Sequence, residues 1–252
     1  MKQIVVWGIN GRMGASMEAS AQKNNVAILA GVDVTEDLTL QKHPFPIYRD
    51  AEKISQMPDG VVDFSRPSST SAVLEFCVSR NLPLVIACTG HTPEQKEQIW
   101  EASEQIPILM SSNLSLGVNV LKFLSKQAAR FLKNFDIEIV EKHHNHKADA
   151  PSGTALMLAD AINETLDMEK EYVYGRNPQS GKRNERELGL HAVRGGTVVG
   201  EHEVLFFGEN ETVSLAHQAQ SKDIFSQGAI TALHFLQGKP AGFYTMDDLF
   251  SL

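Results

Sequence analysis

Near the start of the sequence lies KQIVVWGINGRMG, residues 2–14, in which an apolar run leads into a glycine-rich turn. The run Lys2–Trp7 predicts a buried β-strand, and Gly8, Gly11 and Gly14 follow it at the start of a predicted helix. Glycine lets the backbone of such a turn approach a pyrophosphate, and a helix N-terminus offers N–H groups and the positive end of its dipole. The stretch predicts a strand–turn–helix unit that binds a dinucleotide, the alternative being a glycine turn that serves packing alone.

Apolar runs and helix-like stretches alternate from this turn through the first part of the chain. The strand candidates are Lys2–Trp7, Val26–Val32, Gly60–Phe64, Leu82–Ala87 and Ile106–Met110. The helix candidates between them are Arg12–Lys23, Ser69–Arg80 and Pro93–Glu104. Strands buried on both faces and joined by helices are typical of a parallel sheet, and right-handed crossovers then give a doubly wound, Rossmann-like α/β fold.

The pattern changes after Asn113, where we expect a second, smaller α+β domain to begin. An amphipathic helix and an alternating strand, Ile137–Glu141, come first. The later elements are a helix that contains Ala155–Leu166 and strands at His191–Arg194, Val198–Phe207 and Thr212–Ala216. The segment Tyr172–Leu188 is polar and rich in Gly, Asn and basic residues, so it predicts a mobile, solvated loop.

Composition and charge exclude several classes of protein. The chain has 252 residues, 42% of them hydrophobic, so it can bury a real core and is neither disordered nor fibrous. Its apolar runs fall well short of a membrane helix, and its first residues lack the features of a secretory signal. Cys77 and Cys88, read as buried small side chains, fit a cytoplasmic protein, and a net charge of −8 argues against nucleic acid. We expect a cytoplasmic protein with no membrane or nucleic-acid partner, in which a local cluster of donors holds any anionic ligand.

Further candidate cofactor contacts lie at the ends of predicted strands. Asp33 ends the second strand, where a carboxylate accepts hydrogen bonds from the adenosine ribose hydroxyls; otherwise it is a turn residue. The segments Ala87–Gly90 and Ser111–Leu114 carry small and polar residues at the carboxyl edge of the sheet, either for ligand binding or as ordinary turns. The candidate cofactor-binding residues are Gly8, Ile9, Asn10, Gly11, Arg12, Met13, Asp33, Ala87, Cys88, Thr89, Ser111, Ser112, Asn113 and Leu114.

The densest chemistry lies in EKHHNHKADAPSGTA, residues 141–155, between a predicted strand and a predicted helix. A polar surface loop and a metal site are two interpretations, since His143, His144 and His146 could supply imidazole ligands. Histidines this close together in a loop are not the i, i+4 pair of a helical zinc site, so we expect no metal. The third interpretation combines a histidine proton donor, Lys147 to stabilise negative charge, and a helix N-terminus after the proline that binds a carboxylate.

This block resembles the signature of a known family. Its pattern E-x-H-H-x-x-K-x-D-A-P-S-G-T-A is that of the 4-hydroxy-tetrahydrodipicolinate reductases, or dihydrodipicolinate reductases, of bacterial lysine and diaminopimelate biosynthesis. The further matches are Gly8–Gly14, Thr89–Gly90, Asn113, Ser115, Gly117–Val118, His191–Gly196 and Gly200–His202. The departures are Ala87 in place of a frequent glycine and Leu114 in place of a usual phenylalanine, both beside the expected cofactor.

The resemblance implies two domains and a homotetramer. A dinucleotide-binding domain is built from residues 1–114 and 225–252, and residues 115–224 form a substrate-binding and oligomerisation domain. Within the second domain, Val204–Phe207 suits a sheet buried on both faces, so we expect the tetramer to assemble through this domain.

The resemblance also implies a role for each residue of the histidine block. His143 is the proton donor and Lys147 its partner, while His144, Gly153 and Thr154 bind the carboxylates of the substrate, a small cyclic imine dicarboxylate. After loss of its hydroxyl as water, this substrate has a C=C bond conjugated to C=N. A hydride that adds at the far carbon leaves a position that an acid must protonate.

The expected cofactor is NADH or NADPH. Asp33 favours a ribose 2′-hydroxyl over a 2′-phosphate, and Val34 supplies no neighbouring cation, so NADH is preferred or at least well used. Arg12 opens the first helix and could reach a 2′-phosphate, which leaves dual use open.

Two other classes of protein fit part of the sequence. An amino-acid dehydrogenase on the same scaffold would share the glycine turn, but it has no reason to share the histidine block. A nucleotide-sensing protein without catalysis would be expected to lose His143 or Lys147, and both are present.

Overall fold

The chain forms two compact units. A computed structural model describes residues 1–34 and 43–250. Unit 1 comprises Met1–Leu116 and Asp223–Leu252, so it is built from both ends of the chain, and unit 2 comprises Gly117–Lys222. The assignment of the cofactor to one unit and of the substrate to the other stays a prediction.

Unit 1 is a parallel sheet with helices. Its strands are β1 (Lys2–Trp7), β2 (Val26–Val32), β3 (Ile47–Tyr48), β4 (Gly60–Asp63), β5 (Leu84–Ile86), β6 (Pro107–Met110) and β12 (Gly242–Tyr244). Its helices are α1 (Arg12–Lys23), α2 (Thr70–Ser79), α3 (Pro93–Ser103) and α6 (Asp223–Leu236). The described strands form one seven-stranded sheet in the order β12-β6-β5-β4-β1-β2-β3, and each neighbouring pair is parallel. This confirms the doubly wound, Rossmann-like fold.

The core of unit 1 lies on both faces of this sheet. One cluster joins β1 side chains Val5 and Trp7 to helices α2 and α3, and the other joins Ile4 and Val6 to α1 and α6. Because alternate residues of β1 are buried on opposite faces, the strand reads as a continuous apolar run. The strand candidates of this region are therefore recognisable from the sequence, although two-residue β3 is not.

The glycine turn brings the start of α1 close to β1 and β2. The N–H of Gly8, whose φ is +75°, donates to the carbonyl of Val32 at 2.8 Å. A Cβ atom at Gly14 would lie 1.9 Å from the carbonyl oxygen of Ile9, so only glycine allows this approach of helix and turn. The turn is fixed by packing as well as being open to a ligand.

Unit 2 is a mixed sheet with helices. Its strands are β7 (Asp136–His143), β8 (Glu171–Tyr174), β9 (Glu187–Arg194), β10 (Gly200–Phe207) and β11 (Thr212–Ala219), and its helices are α4 (Leu116–Phe131), which begins at the boundary with unit 1, and α5 (Gly153–Thr165). The strand order is β11-β10-β7-β9-β8, in which β10 is antiparallel to both of its neighbours and the other pairs are parallel. The core joins one face of the sheet to α4 and α5, which confirms a second α+β domain.

The predicted loop at Tyr172–Leu188 is wrong at both ends. Tyr172 lies in β8, which pairs with β9, and its side chain packs against the core of unit 2. Two of the basic residues of the segment are not solvated surface, since Arg176 pairs with Glu187 and Arg183 with Glu138 and Asp136. Composition suggested a loop because Asp136 and Glu138, the acidic partners of Arg183, lie outside this segment of the sequence.

Strand β10 has one buried face within the single chain. Val204 and Phe206 are fully buried, whereas Leu205 is half-buried and Phe207 is 39% exposed. The expected burial on both faces is therefore not met within one chain. Among the described residues, no helix is long and apolar enough to cross a bilayer.

Candidate active site

The glycine turn of unit 1 offers main-chain donors to a ligand. Helix α1 begins after Gly11, which provides no side-chain cap, and Arg12 is exposed beside it. The N–H of Asn10 donates to Oδ2 of Asp33 at 3.0 Å, which brings the end of β2 to the turn. An uncapped helix N-terminus next to a carboxylate suits the pyrophosphate and the adenosine ribose of a dinucleotide, so these residues fit the expected cofactor.

Two predicted strand ends form turns at the carboxyl edge of the sheet. The N–H of Ala87 donates to the Asp63 carbonyl at 2.9 Å, and Thr89 is exposed. Ser111 Oγ donates to the carbonyl of Asn113 at 2.8 Å and accepts from its N–H at 3.1 Å. Ser112 is exposed and Met13 half-buried in the same unit.

Four of the predicted cofactor-binding side chains are buried: Ile9, Cys88, Asn113 and Leu114. Ile9 is 0% and Leu114 3% exposed, and both pack in the core of unit 1. Cys88 is 7% exposed and, like Cys77, a free thiol, which confirms that both cysteines are buried. These positions can offer main-chain atoms to a cofactor more readily than side chains.

Cys88 belongs to a small polar cluster that the sequence analysis missed. Its thiol donates to Oδ2 of the buried Asp63 at 3.3 Å and lies 3.5 Å from Nε2 of His91. Burial and the nearby Asp63 carboxylate raise the pKa of the Cys88 thiol, so the thiol stays protonated. Burial also raises the pKa of Asp63 and lowers that of His91. The cluster is a protonated thiol beside a carboxylate, not a thiolate nucleophile.

The histidine block connects a strand to a helix N-terminus in unit 2. His143 ends β7, and α5 begins at Gly153 after its N-cap Ser152, whose Oγ accepts from the Ala155 N–H at 3.2 Å. A Cβ atom at Gly153 would meet nothing within 4 Å, so the space above the first turn of α5 is open. Thr154 follows at the same helix end. The structure thus places the predicted proton donor and the predicted carboxylate-binding residues in one unit.

A fully buried carboxylate holds His143. Glu141 is 0% exposed, and its Oε2 accepts from Nδ1 of His143 at 2.6 Å. Arg194 donates to both oxygens of Glu141, at 2.8 and 2.7 Å, and the Ser152 N–H donates to Oε1 at 2.9 Å. Burial alone would raise the pKa of Glu141, but the hydrogen bonds from Arg194, His143 and Ser152 outweigh it and hold that pKa below its ordinary value.

Lys147 and His144 lie in the turn after His143. The Lys147 ammonium is 2.8 Å from Oδ1 of Asp149, and this bond lowers the pKa of the Asp149 carboxyl. Burial, and then the positive charge of Lys222, lower the pKa of His144. We find no direct bond between His143 and Lys147 among the described contacts, so their partnership in proton transfer stays a prediction.

His202 packs against the proton donor. The two rings meet edge to face, with centroids 5.2 Å apart, and His202 Nε2 lies 2.9 Å from Ser152 Oγ. Burial, and after it the electrostatic effect of the neighbouring His143, lowers the pKa of His202 to about 4. The ring of His202 is therefore neutral at physiological pH.

Three residues of this cluster were given no role in the sequence analysis: Glu141, Arg194 and His202. A local signal existed for Glu141, since it stands two residues before His143 on a strand and so faces the same side. Nothing local identified Arg194 or His202 as neighbours of His143. In residues 1–34 and 43–250, no three His, Cys, Asp or Glu side chains are placed to hold a metal ion, and metal independence stays a prediction.

A doubly wound nucleotide-binding unit joined to a mixed-sheet unit with a partly buried histidine cluster is typical of the pyridine-nucleotide-dependent oxidoreductases. Comparison with known proteins identifies the family. The family model described as the dihydrodipicolinate reductase N-terminus matches residues 2–114, and that of the C-terminus matches residues 117–250. The chain belongs to the 4-hydroxy-tetrahydrodipicolinate (dihydrodipicolinate) reductase family.

Curated relatives agree with this membership, and a solved structure shares the fold. The 4-hydroxy-tetrahydrodipicolinate reductase of Caldanaerobacter subterraneus is 47% identical over 99% of this chain and 98% of its own length. That of Clostridium tetani is 44% identical over 98% of this chain and 96% of its own length. The dipicolinate-bound dihydrodipicolinate reductase of Paenisporosarcina sp. TG-14 shares the fold with a TM-score of 0.82, covering 97% of each chain at 23% identity.

The low pKa of His202 predicts how stability depends on pH. The folded protein keeps this ring neutral down to a pH of about 4, whereas the unfolded chain binds a proton near pH 6.5. Since the unfolded state then binds more protons, the free energy of unfolding should fall as the pH drops from about 6.5 towards 4. Urea unfolding at the two ends of this pH range measures the effect. The free energy of unfolding should fall less for His202→Gln than for the wild type.

The matched control for this prediction is His146→Gln, because His146 is exposed in the same unit. Its stability should follow the wild-type pH dependence. Equal pH slopes for the wild type and His202→Gln would contradict the prediction.

Proposed function

We propose that the histidine block of unit 2 carries out the proton transfer and substrate binding of the reaction for which the family is named. The chain reduces 4-hydroxy-tetrahydrodipicolinate, by way of dihydrodipicolinate, to tetrahydrodipicolinate in lysine and diaminopimelate biosynthesis. When bound, NADH or NADPH supplies the hydride. The protein itself must therefore hold a dicarboxylate and deliver a proton.

His143 is the proton donor. The observation that supports this most directly is its Nδ1 bond of 2.6 Å to the buried Glu141 carboxylate, which fixes the plane of the ring and turns Nε2 away from Glu141. Its other nitrogen, Nε2, is then the atom that gives up the proton. An acid at this place allows the carbon skeleton to be protonated as the hydride adds, so that no carbanion has to persist.

The carboxylates of the substrate are bound at the start of α5. Gly153 and Thr154 provide main-chain N–H groups at the positive end of the helix dipole, and the space above Gly153 is open. His144 and Lys147 add side-chain donors from the preceding turn. Lys147 also stabilises the negative charge that develops in the substrate, because it can reorient from the exposed Asp149 carboxylate.

Substitution of the two predicted catalytic residues should separate their roles. His143→Ala should lower kcat by roughly 10² to 10⁴, while NADH binding to the isolated enzyme stays near the wild-type value. Lys147→Ala should raise KM for the substrate as well as lower kcat, because it both binds the substrate and stabilises charge. Steady-state kinetics with the dihydrodipicolinate synthase product as substrate give both values.

The exposed His146 provides the control, since His146→Ala should keep wild-type kinetics. The double variant of His143 and Lys147 should lose less than the product of the two single losses, because the groups act on one transition state. Near-native kcat in folded His143→Ala would overturn the assignment.

NADH is the preferred cofactor, or both cofactors are used. Asp33 accepts from the glycine turn at the place of the adenosine ribose, and its charge repels a 2′-phosphate. Val34 beside it is 75% exposed and offers no compensating cation. Arg12 is exposed at the start of α1, from where a cation could reach a 2′-phosphate.

The ratio of kcat/KM for NADH to that for NADPH measures this preference. The wild type should favour NADH or use both cofactors, and Val34→Arg should shift the ratio towards NADPH because it adds a cation beside the ribose. Val34→Gln, which has no charge, is the matched control and should leave the ratio near the wild-type value. A preference of the wild type for NADPH of roughly tenfold or more, about 1.4 kcal/mol, would contradict the proposal.

The enzyme acts in the cytoplasm as a homotetramer that assembles through unit 2. The sheet face opposite α4 and α5 carries Leu205, Val193 and Phe207, of which the last two are 49% and 39% exposed. A sheet face that carries exposed apolar side chains and is not covered by the described helices of its own unit is typical of an interface between subunits.

Light scattering should give a mass four times the 27.8 kDa of one chain. Phe207→Asp should lower this mass, because it places a charge in the interface, whereas Phe131→Asp should not, since Phe131 is an exposed residue of α4. A wild-type monomer at micromolar concentration would contradict the tetramer.

A further inference from the structure

Glu141 is a charged residue at a core position of β7. Ile137 and Ile139 precede it on the same face of the strand, and both are fully buried in the core of unit 2. An apolar side chain at position 141 would continue this pattern at lower desolvation cost, since replacing a buried ion pair with hydrophobic residues is often neutral or stabilising. A buried carboxylate here therefore needs an explanation other than packing.

The carboxylate is saturated with donors from three elements. Arg194 reaches it from β9 with two parallel bonds, in a register that pairs the Cα atoms of His143 and Arg194. Ser152 donates from the start of α5, and His143 donates from the same strand. Because each of these bonds goes to a carboxylate, which only accepts, all the donor protons are fixed.

This arrangement selects one tautomer of His143. The nitrogen that faces Glu141, Nδ1, must carry hydrogen, so in the neutral ring Nε2 has the lone pair and in the charged ring Nε2 has the transferable proton. A Cβ atom at Gly200 would lie 3.0 Å from Nε2, so the glycine leaves room around this nitrogen. The transferable proton is thus kept on the side away from Glu141.

The same carboxylate also holds the start of α5. Ser152 is the N-cap, so its N–H bond to Oε1 fixes the residue that immediately precedes Gly153 and Thr154. A shift of Glu141 would move the proton donor and the predicted carboxylate-binding turn together.

We propose that Glu141 is a positioning residue for the reduction, which sets the tautomer and the charge of His143, and that Arg194 is the counter-charge that limits its effect. This inference rests on the proposed role of His143 as proton donor. Without Arg194 the negative charge of Glu141 would act uncompensated on His143, and a neutral group at position 141 would remove that charge altogether. The pair therefore adjusts the acid to its task.

The charged and titratable groups that face His143 come from every neighbouring element. They are Glu141 on β7, Arg194 on β9, His202 on β10, and His144 and Lys147 in the following turn, where Asp149 pairs with Lys147. Of these, Glu141 alone is bonded to the His143 ring among the described contacts.

The test is the pH profile of kcat/KM in two variants that change the charge in opposite directions. The alkaline limb reports loss of the proton from the acid, so activity falls as the pH rises through it. Glu141→Gln removes the negative charge, and its limb should move to lower pH by about one unit, with kcat lowered roughly 10- to 100-fold. Arg194→Met leaves the carboxylate uncompensated, and its limb should move to higher pH.

A merely structural role would not give opposite shifts. The control is Glu138→Gln, on the same strand, because Glu138 also pairs with a histidine, Nε2 of His191 at 2.6 Å, and with an arginine, Arg183. In Glu138→Gln, the alkaline limb of the kcat/KM profile should stay at the wild-type pH. Limbs that move in the same direction for Glu141→Gln and Arg194→Met, or that stay in place, would overturn the inference.

The tautomer of His143 can be measured in the wild type, so this test does not depend on Glu141→Gln or Arg194→Met being folded. In the long-range ¹H–¹⁵N spectrum of the enzyme labelled with ¹⁵N-histidine, the ring of His143 is assigned by its loss in His143→Gln. Hydrogen on Nδ1 in the neutral ring is the expected result, and hydrogen on Nε2 would overturn the proposal.

The outcomes separate this inference from the function on which it rests. If His143→Gln keeps near-native kcat, then the proposed role of His143 fails and Glu141 has no acid to position. If His143→Gln loses activity while Glu141→Gln keeps both the wild-type kcat and the wild-type limb, then the function stands and the inference about Glu141 fails.

Discussion

Glu141 carries a charge with no exposure to water, and this charge governs how the groups around it in unit 2 are arranged. A carboxylate in such a place is tolerated only when donors meet its oxygens, and these donors must be brought from separate parts of the chain. Arg194 comes from β9 and Ser152 from the start of α5. The parallel register of β7 and β9, the first turn of α5 and the plane of the His143 ring are thereby fixed by one group.

A second acid on the same strand shows what burial adds. Glu138 lies on the opposite face of β7 and also bonds to a histidine and an arginine, His191 and Arg183. The side chain of Glu138 is 13% exposed, and the Glu138–His191 pair lies on the sheet face without helices, away from the core. The bonding pattern of Glu141 is therefore not unusual in this sheet. What distinguishes Glu141 is that it is fully removed from water. A charge in such a place acts more strongly on its neighbour than a charge near water does.

The sequence predicts the elements whose signals are local. Lys2–Trp7 and Arg12–Lys23 agree with the structure residue by residue, because apolar periodicity and the glycine turn point to the same boundaries. Tyr172–Tyr174 was missed as a strand because its apolar partner, β9, follows an irregular segment that composition alone assigns to a loop. Short strands that depend on one neighbour carry little signal of their own.

The same distinction applies to the site. The position of the histidine block between a strand and a helix follows from local pattern, and so does the placement of Glu141 and His143 on one face. Arg194 is 53 residues from Glu141, and His202 is 50 residues from Ser152. Which strands become neighbours in a mixed sheet is decided by the packing of the whole unit, so these partners could not be read from the block itself.

A protein with a net charge of −8 can still bind a dianion because the potential that matters is local. Exposed charges are screened over about 8 Å at physiological salt, so most of the acidic surface contributes little within the turn after β7. The pKa of His144 is a probe of that turn: burial lowers it, and so do the positive charges of Lys222, His143, His146 and Lys147. The pKa of Asp149 is also lowered, first by its bond from Lys147. Both shifts have the sign that a positive potential produces, and the same potential favours a carboxylate at the N-terminus of α5.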